Sequence, residues 1–247
     1  MSGRLEDRVC IVTGGAKGLG LVFVTALLAE CAQVLAVDIA DGAAARDAGA
    51  EVLQADISEA GAAERITAHC IERFGRVDVL VNNAAIFASL PPVRFDEIDD
   101  ALWDDVLRVN VTGTYRMIRA VAPHMEAQGN GKIVNLTSGT VYKGMPGMLH
   151  YITSKGAVQA MTRSLSRELG ATGVCVNNLA PGLTMSDSVL ENPDHIEAAR
   201  AKVLASRAIQ RDGQPADLIG ALVFLCSGES DFVTGQTIAV DGGSINT

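Results

Sequence analysis

Short apolar runs rich in β-branched residues alternate with longer segments of helical periodicity along most of the chain. Near-continuous hydrophobicity in a short run is typical of a strand that is buried on both faces of a parallel sheet. This pattern predicts seven strands. They are Arg8–Thr13, Gln33–Asp38, Glu51–Asp56, Val77–Asn83, Lys132–Ser138, Val174–Leu179 and Thr237–Val240.

Helical patterns fill most of the segments between these strands. The predicted helices are Gly20–Cys31, Ala60–Phe74, Asp100–Ala127, Tyr151–Gly170 and Pro215–Cys226. Repeated β-α-β order with right-handed crossovers predicts an α/β fold, a doubly wound three-layer sandwich with a mainly parallel seven-stranded sheet. In such a sheet the ligand crevice lies outside the carboxyl ends of the strands.

The pattern weakens between Gly182 and about Arg211, where polar residues flank one short predicted helix, Asp194–Ser206. A segment of this kind beside a ligand crevice is often a mobile lid. We therefore expect a substrate lid at about residues 183–211.

Length, cysteine content and charge narrow the class of protein. The 247 residues, 48% of them hydrophobic, are close to the upper size of one continuous core, so we expect residues 1–247 to form one domain. Five widely spaced cysteines without a Cys-x-x-Cys pair suit a reducing cytoplasm and predict no metal site. We see no export signal and no apolar run of about 18 residues, which predicts a cytoplasmic protein without a membrane partner. The formal charge of −9, with scattered Lys and Arg, argues against a nucleic-acid partner.

The first predicted strand runs into a glycine-rich turn, Thr13-Gly14-Gly15-Ala16-Lys17-Gly18-Leu19-Gly20. Glycines in these places allow a tight turn, a close approach of the backbone to a pyrophosphate, and close packing of the next helix on the sheet. The spacing G-x-x-x-G-x-G is a weak signal by itself, and an ordinary glycine-rich turn is the alternative.

Asp38 ends the second predicted strand, 18 residues after Gly20. An acid at about this offset binds the adenosine ribose of a dinucleotide. Its carboxylate accepts hydrogen bonds from ribose hydroxyls and repels a 2′-phosphate, which favours NAD over NADP. Lys17 in the glycine turn would attract that phosphate and argues the other way. The alternative for Asp38 is a solvated strand-end carboxylate.

Tyr151 and Lys155 lie four residues apart at the start of a helical pattern, so their side chains share one helix face. A phenol with a pKa near ~10 is a poor base at neutral pH. A lysine ammonium nearby stabilises the phenolate, so we expect Lys155 to lower the pKa of Tyr151 and make it a general acid/base. Taken alone, the Tyr-x-x-x-Lys spacing is also common on helix surfaces.

Taken together, these motifs resemble the short-chain dehydrogenase/reductase family in its compact single-domain form. The resemblance runs from Arg8 to Gly243 and rests on the glycine turn, Asp38, Asn82-Asn83-Ala84, Ser138 and the Tyr151/Lys155 pair. It implies a Rossmann-type fold, a nicotinamide cofactor, and hydride transfer between that cofactor and a carbonyl or secondary alcohol. It also implies a homotetramer in which the long helices pack against partner copies.

By this resemblance, Tyr151 is the general acid/base and Ser138, 13 residues upstream, holds the substrate oxygen. Lys155 supplies the positive field, and Asn110 holds a water in a proton relay to Lys155. Asparagine is a poor helix former, so its place inside a predicted helix suits a specific role. The alternatives are a serine that caps a turn and an asparagine that is merely satisfied inside the helix layer.

The resemblance also implies the cofactor contacts. Asp56 and Ile57 would bind adenine, Asn83 would approach the adenosine side, and Lys155 would also bind the nicotinamide ribose. The complete predicted set is Gly14, Lys17, Gly18, Leu19, Gly20, Asp38, Asp56, Ile57, Asn83, Tyr151, Lys155, Gly182, Thr184 and Ser186. The chain departs from the family pattern at Ala85, where glycine is usual, and at Ser186, where threonine is usual.

Apolar residues cluster around the predicted site, and an apolar, adaptable pocket follows if half of them line the crevice. They are Ile86, Phe87, Leu90, Val141, Tyr142, Met145, Met148, Leu149, Met185 and Val189. For His150 a packing role is favoured over substrate contact. Lys143 and Arg94 are possible lone anchors for an acidic group, and the sequence gives no convergent basic cluster.

The stretches HYITSK (150–155) and DFVTGQTIAVDGG (231–243) resemble bacterial members of this family that oxidise hydrophobic or aromatic secondary alcohols or reduce the matching ketones. With Asp38, this resemblance implies an NAD-dependent enzyme for such a substrate. One alternative is a 3-oxoacyl thioester reductase, an activity that normally uses NADPH, and Asp38 argues against it. A non-catalytic NAD(H)-binding sensor is the alternative from another class, although it would not need the full set of catalytic residues. A dehalogenating lyase on the same scaffold is disfavoured by Lys155 and the glycine turn.

Overall fold

The computed structural model describes residues 3–191 and 193–246, and within them seven strands form one parallel sheet. The strands are β1 Val9–Thr13, β2 Gln33–Asp38, β3 Glu51–Gln54, β4 Val79–Asn82, β5 Gly131–Leu136, β6 Val174–Pro181 and β7 Thr237–Val240. Their order across the sheet is β3-β2-β1-β4-β5-β6-β7. The predicted parallel seven-stranded sheet is therefore confirmed.

Ten α-helices in the described residues connect and cover the strands. They are α1 Gly18–Ala29, α2 Ala43–Asp47, α3 Ala62–Phe74, α4 Asp100–Leu107, α5 Thr114–Gln128, α6 Thr140–Lys143, α7 Leu149–Leu169, α8 Asp187–Leu190, α9 Pro193–Ser206 and α10 Ile219–Cys226. Among the described residues, no helix is both long enough and apolar enough to cross a membrane.

Two apolar cores lie on opposite faces of the sheet. On one face, Phe23 of α1 and Leu222 of α10 pack against strand residues that include Val12. On the other face, Ile66 of α3 and Met117 of α5 pack against the remaining inward-facing side chains of the strands. Helix layers on both faces of a parallel sheet make the predicted three-layer doubly wound sandwich, in which the central strands are buried on both sides.

The strand order reverses at β1, which pairs with β2 on one side and with β4 on the other. The pairing places Thr13 beside both Val37 and Asn82, so the carboxyl ends of β1, β2 and β4 meet at one edge of the sheet. Ligands of doubly wound folds bind at this switch point, because the chain diverges there to opposite faces and leaves a crevice.

The long predicted helix Asp100–Ala127 is interrupted, which is a correction to the sequence-based expectation. A π-helical turn, Arg108–Gly113, separates α4 from α5 and contains Asn110. A π-helical turn widens the helix by one residue and is frequent at functional sites. Within this turn the amide of Asn110 hydrogen-bonds the backbone of Ile86, which lies outside the helix.

Several element bounds also differ from those predicted. The short helix α2 is absent from the prediction, because five residues are too few for a clear helical period. β3 ends at Gln54 and β5 ends at Leu136, so Asp56 and Ser138 lie in the loops beyond their strands rather than within them. Both side chains therefore lie outside the sheet, just beyond its carboxyl edge.

Candidate active site

A cavity of about 1090 Å³ lies at the carboxyl edge of the sheet. Thirteen of the fourteen predicted cofactor contacts border it. They are Gly14, Lys17, Leu19, Gly20, Asp38, Asp56, Ile57, Asn83, Tyr151, Lys155, Gly182, Thr184 and Ser186. Gly18 begins α1 with a φ of +56° and does not border the cavity. Predicted residues between positions 14 and 186 thus converge on one site.

The glycine turn forms a backbone cradle that side chains could not occupy. A Cβ atom at Gly20 would lie 1.8 Å from the carbonyl oxygen of Gly14, and Gly14 itself has a φ of +67°. Asn83 Nδ2 donates hydrogen bonds to the carbonyl oxygens of Thr13 and Gly14, each at 3.0 Å. Asn83 therefore holds the turn in place, and the tight cradle fits the close approach of a pyrophosphate.

Asp38 is fixed between the glycine turn and the end of β2. Its Oδ2 accepts a hydrogen bond from the backbone N–H of Ala16 at 3.0 Å, and its Oδ1 accepts one from Ala40 at 3.1 Å. The carboxylate borders the cavity at this position. Lys17 also borders the cavity, and its exposed ammonium lies 4.0 Å from the Glu191 carboxylate.

Asp56 and Ile57 border the same end of the cavity as Asp38. Asp56 Oδ1 accepts hydrogen bonds from the backbone N–H and the hydroxyl of Ser58, at 2.7 and 2.6 Å. Burial raises the pKa of Asp56, but these two hydrogen bonds together with Arg108 outweigh it, and the net pKa lies below its usual value. The Asp56 carboxylate therefore stays ionised at neutral pH.

Tyr151, Ser138 and Lys155 meet at the other end of the cavity. Tyr151 is buried in the first turn of α7, and the Ser138 side chain lies close enough to its phenol to lower the pKa. Ser138 Oγ also accepts hydrogen bonds from the backbone N–H and the hydroxyl of Thr140, at 3.2 and 2.9 Å. Because Ser138 Oγ accepts both of these bonds, its own proton is available to a ligand oxygen, as is the proton of the neighbouring Tyr151 hydroxyl.

The pKa of Tyr151 departs from the expectation. Burial raises the pKa of the phenol to about 12, and the neighbouring Ser138 side chain offsets only part of this. Burial also lowers the pKa of Lys155 to about 8. In the protein's own groups the net pKa of Tyr151 is therefore raised rather than lowered, because desolvation outweighs any effect of the Lys155 ammonium.

Lys155 is turned toward the sheet as well as toward Tyr151. Its Nζ donates a hydrogen bond to the carbonyl oxygen of Leu136 at 2.8 Å and lies 5.8 Å from the centre of the Tyr151 ring. The ammonium therefore has a protein partner for one of its three protons, and the other two remain available on the cavity side.

Asn110 lies behind the cavity rather than on its wall. Its Oδ1 accepts from the Ile86 N–H at 2.8 Å, and its Nδ2 donates to Ile86 O at 3.2 Å and to Ser154 Oγ at 3.0 Å. Ser154 Oγ in turn donates to the Tyr151 carbonyl at 2.7 Å. Asn110 thus joins the β4 loop to the first turn of α7, and the predicted water relay to Lys155 stays a prediction.

The substrate side of the cavity has the expected apolar character. Five of the ten apolar candidates border it, and the ring of one of them, Phe87, lies 4.7 Å from the ring of Tyr151. The five are Ile86, Phe87, Met145, Met148 and Val189; the five that do not border it are Leu90, Val141, Tyr142, Leu149 and Met185. Leu90 is buried in the core beneath the cavity, whereas Leu149 is exposed on its outer side.

His150 does not border the cavity. It is fully buried, and its Nδ1 accepts a hydrogen bond from the Tyr151 backbone N–H at 2.9 Å. Burial lowers the pKa of its imidazole. The favoured packing role is confirmed, since the neutral ring stabilises the start of α7.

Several site residues are absent from the sequence-based set. Arg108 borders the cavity near Asp56, and Ser154 links Asn110 to Tyr151. Arg207 and Asp241 border its substrate side. Spacing signals existed for two of them: Ser154 is three residues after Tyr151 on one helix, and Asp241 directly follows β7.

Comparison with known proteins gives one consistent family. The family model described as enoyl-(acyl carrier protein) reductase matches residues 14–244. The short-chain reductase protein NovJ of Streptomyces niveus is 37% identical, over 96% of this chain and 94% of that protein. The 3-oxoacyl-[acyl-carrier-protein] reductase FabG of Thermotoga maritima is 34% identical, over 98% of this chain and 99% of that protein.

A further relative and a solved structure extend this comparison. The 2-(S)-hydroxypropyl-CoM dehydrogenase 3 of Xanthobacter autotrophicus is 35% identical, over 98% of both chains. The crystal structure of levodione reductase superposes with a TM-score of 0.90 at 29% identity, over 97% of this chain and 98% of that one. All of these proteins match nearly the whole chain, so the similarity includes the cavity and both of its ends.

Proposed function

Because the chain belongs to the short-chain dehydrogenase/reductase family, we propose that it is an NAD-dependent oxidoreductase for a secondary alcohol and the matching ketone. The family establishes an oxidoreductase with a nicotinamide cofactor, and the finer assignment concerns the cofactor and the substrate. One observation carries the proposal: Tyr151, Ser138 and Lys155 border the same cavity as the glycine turn and Asp38.

The residues fit a dinucleotide at one end of the cavity. The glycine turn would hold the pyrophosphate, Asp38 the adenosine ribose, and Lys155 the nicotinamide ribose. A nicotinamide bound in this way supplies the hydride donor or acceptor. Asp38 supports NAD, because its anchored carboxylate accepts ribose hydrogen bonds and repels a 2′-phosphate.

At the other end of the cavity, protein side chains bind the substrate oxygen and transfer its proton. The Ser138 and Tyr151 hydroxyls converge and can donate two hydrogen bonds to a carbonyl oxygen, which polarises it. During reduction Tyr151 donates its proton to that oxygen, and during oxidation its phenolate removes the proton from the alcohol. The Lys155 ammonium stabilises the phenolate while it exists. The apolar wall formed by Phe87, Met145 and Met148 suits a hydrophobic or aromatic substrate.

Reduction of a 3-oxoacyl thioester with NADPH is the second candidate. The similarity to FabG supports it, and so does Lys17, a cation at the mouth of the glycine turn. Asp38 favours the first candidate, because its carboxylate is held against the glycine turn by the Ala16 N–H and would repel a 2′-phosphate there. A non-catalytic NAD(H)-binding role is disfavoured, since Ser138, Tyr151 and Lys155 converge as a reactive set.

The test is a panel of secondary alcohols, ketones and a 3-oxoacyl thioester, each followed by nicotinamide absorbance with both cofactors. We expect turnover of apolar ketones with NADH. Tyr151→Phe should lower kcat by about 10²-fold or more and leave NADH binding largely intact, because only the transferable proton is removed. Preference for the thioester with NADPH would favour the second candidate, and substantial activity of Tyr151→Phe would exclude Tyr151 as the acid/base.

A further inference from the structure

The mouth of the cavity, beyond Ser138, is lined by charged residues from three separate segments. Lys143 ends α6, Lys202 lies in α9, Arg207 follows α9, and Asp241 follows β7. Three cations therefore face one carboxylate on the substrate side. The sequence predicts only a lone anchor here, because these residues are far apart in the chain.

Lys143 is held at the centre of this cluster. Its Nζ donates a hydrogen bond to Ser206 Oγ at 2.9 Å and another to Ser244 Oγ. Burial lowers the pKa of this amine; Asp241 opposes that shift and Arg207 adds to it. The ammonium is oriented at the cavity mouth by neutral hydroxyls, which do not neutralise its charge.

Arg207 forms the floor of the cluster and is only 4% exposed. Its two terminal nitrogens donate to the carbonyl oxygens of Arg211 and Leu183, at 2.7 and 2.6 Å. Its Nε is buried and has no hydrogen-bond partner in the described residues. Its charge is also unpaired there, since no carboxylate lies within ion-pair distance of it. A buried unpaired cation that borders a cavity is costly unless an anion offsets it.

Asp241 is the one carboxylate of this cluster and offsets at most one of its three positive charges. Its Oδ1 accepts hydrogen bonds from the backbone N–H groups of Gly243 and Ser244, both at 3.0 Å, and so shapes the loop that carries Ser244. Its Oδ2 is buried without a partner in the described residues. Three cations and one carboxylate leave the mouth with an excess of positive charge, in a protein whose formal net charge is −9.

We propose that this cluster of Lys143, Lys202 and Arg207 binds an anionic group of the substrate, such as a carboxylate, sulfonate or phosphate. The inference rests on the proposed function and deepens it: the substrate has a carbonyl or alcohol at Tyr151, an apolar body against Phe87 and Met148, and an acidic end at the mouth. Lys143 is the principal anchor, because its ammonium is exposed to the cavity and already oriented.

The experiment compares matched ketones that differ only in the anionic group: acetophenone with 4-acetylbenzoate, and 2-hexanone with 5-oxohexanoate. The measured quantity is the ratio of kcat/KM for the anionic ketone to kcat/KM for the neutral one. We expect this ratio to exceed one in the wild-type protein and to fall by about 10-fold or more in Lys143→Met, mainly through KM. Lys143→Arg should retain the preference.

Arg94→Gln is the matched control. Arg94 is also a cation near the substrate loops, but it is paired with Asp96 at 2.6 Å and does not border the cavity. Its removal should leave the ratio unchanged. A role of Lys143 as a mere latch between α6 and α9 would lower kcat/KM equally for both members of each pair, and that result would overturn the proposal.

A binding measurement separates this proposal from the proposed function. Calorimetric titration of the protein in excess NAD⁺, where a ketone cannot be reduced, gives the affinity for 4-acetylbenzoate and for acetophenone. Weaker binding of the anionic ketone alone in Lys143→Met supports the anionic subsite even if no ketone is turned over. Equal affinities of the two proteins for 4-acetylbenzoate would reject it, whatever the activity.

Discussion

Tyr151 lies buried at the end of the cavity, where loss of contact with water raises its pKa to about 12. A neutral phenol is ready to donate a proton during reduction, whereas oxidation requires the phenolate. Oxidation of the alcohol releases one proton overall. The ratio of kcat/KM for oxidation to kcat/KM for reduction must therefore rise with pH. Because the pKa of Tyr151 is raised, we expect this pH dependence in the rate constant for oxidation, which needs the phenolate.

We therefore predict different pH profiles for the two directions. Between about pH 7 and about pH 9 the phenolate fraction increases about tenfold per pH unit, so kcat/KM for alcohol oxidation should rise steeply. Ketone reduction should stay level or fall, because Tyr151 remains neutral while Lys155, with a pKa of about 8, loses its charge. Initial rates at constant ionic strength check this, and a reduction rate that rises with pH would contradict it.

Asp38 decides the cofactor preference in our proposal. Asp38→Asn keeps the shape and an acceptor for the Ala16 N–H but removes the charge that repels a 2′-phosphate. The ratio of NADPH to NADH dissociation constants should fall by at least about tenfold, corresponding to about 1.4 kcal/mol.

Nicotinamide fluorescence titrations of wild-type and variant protein measure both constants. Glu191→Gln is a useful comparison, because it removes a carboxylate that lies 4.0 Å from Lys17 rather than beside the ribose position. An unchanged ratio in Asp38→Asn would show that this carboxylate does not set the preference.

At the scale of one element, the glycine turn and the start of α1 act as a single unit. Gly20 packs against the Gly14 carbonyl, and Asn83 hydrogen-bonds the same carbonyl from the next loop. Because a Cβ at Gly20 would lie 1.8 Å from that oxygen, Gly20→Ala must displace the turn. We expect it to weaken NADH binding by about 10-fold or more and to lower the melting temperature.

Gly220 in α10 provides a matched control for this variant. A Cβ there would meet no atom within 4 Å, and the residue is also helical. Gly220→Ala should leave NADH binding intact and stabilise the protein by up to about 1 kcal/mol, because alanine is the better helix former. Thermal denaturation and fluorescence titration of both variants test the prediction; equal NADH binding by Gly20→Ala and wild type would refute it.

The helical segment between β4 and β5 contains a π-helical turn that the periodicity of the sequence does not predict. Periodicity predicts a helix from Asp100 to Ala127, and helical structure indeed occupies that range. The π-helical turn within it contains Asn110, whose side chain hydrogen-bonds Ile86 in a different segment of the chain. A periodic pattern within one segment carries no information about such a partner.

At the scale of the whole molecule, we propose the homotetramer that the family resemblance implies. Large apolar side chains are exposed on the predicted interface helices, among them Tyr115 on α5 and Leu149 on α7. Light scattering coupled to size exclusion should give about 103 kDa, four times the 25.8 kDa of one chain. Tyr115→Glu should lower that mass and Tyr115→Phe should not, because burial of a charge at an interface is unfavourable. A monomer mass for the wild-type protein would exclude the assembly.

The sequence by itself determined the order and type of the main elements, the glycine turn, and the Tyr151/Lys155 pair. These features are local: apolar periodicity reports burial within a segment, glycine reports a backbone that side chains would block, and a spacing of four places two side chains on one helix face. The parallel sheet followed from the same alternation of strands and helices.

Only the tertiary structure decided which distant groups meet and what water they lose. Lys143 contacts Ser206 and Ser244, which lie 63 and 101 residues further along the chain, so the cationic mouth has no local signature. The pKa of Tyr151 is raised because packing removes water from the phenol. The spacing of Tyr151 and Lys155 in the sequence does not indicate this burial. Desolvation and long-range hydrogen bonds depend on how the layers pack, and packing is a property of the folded chain.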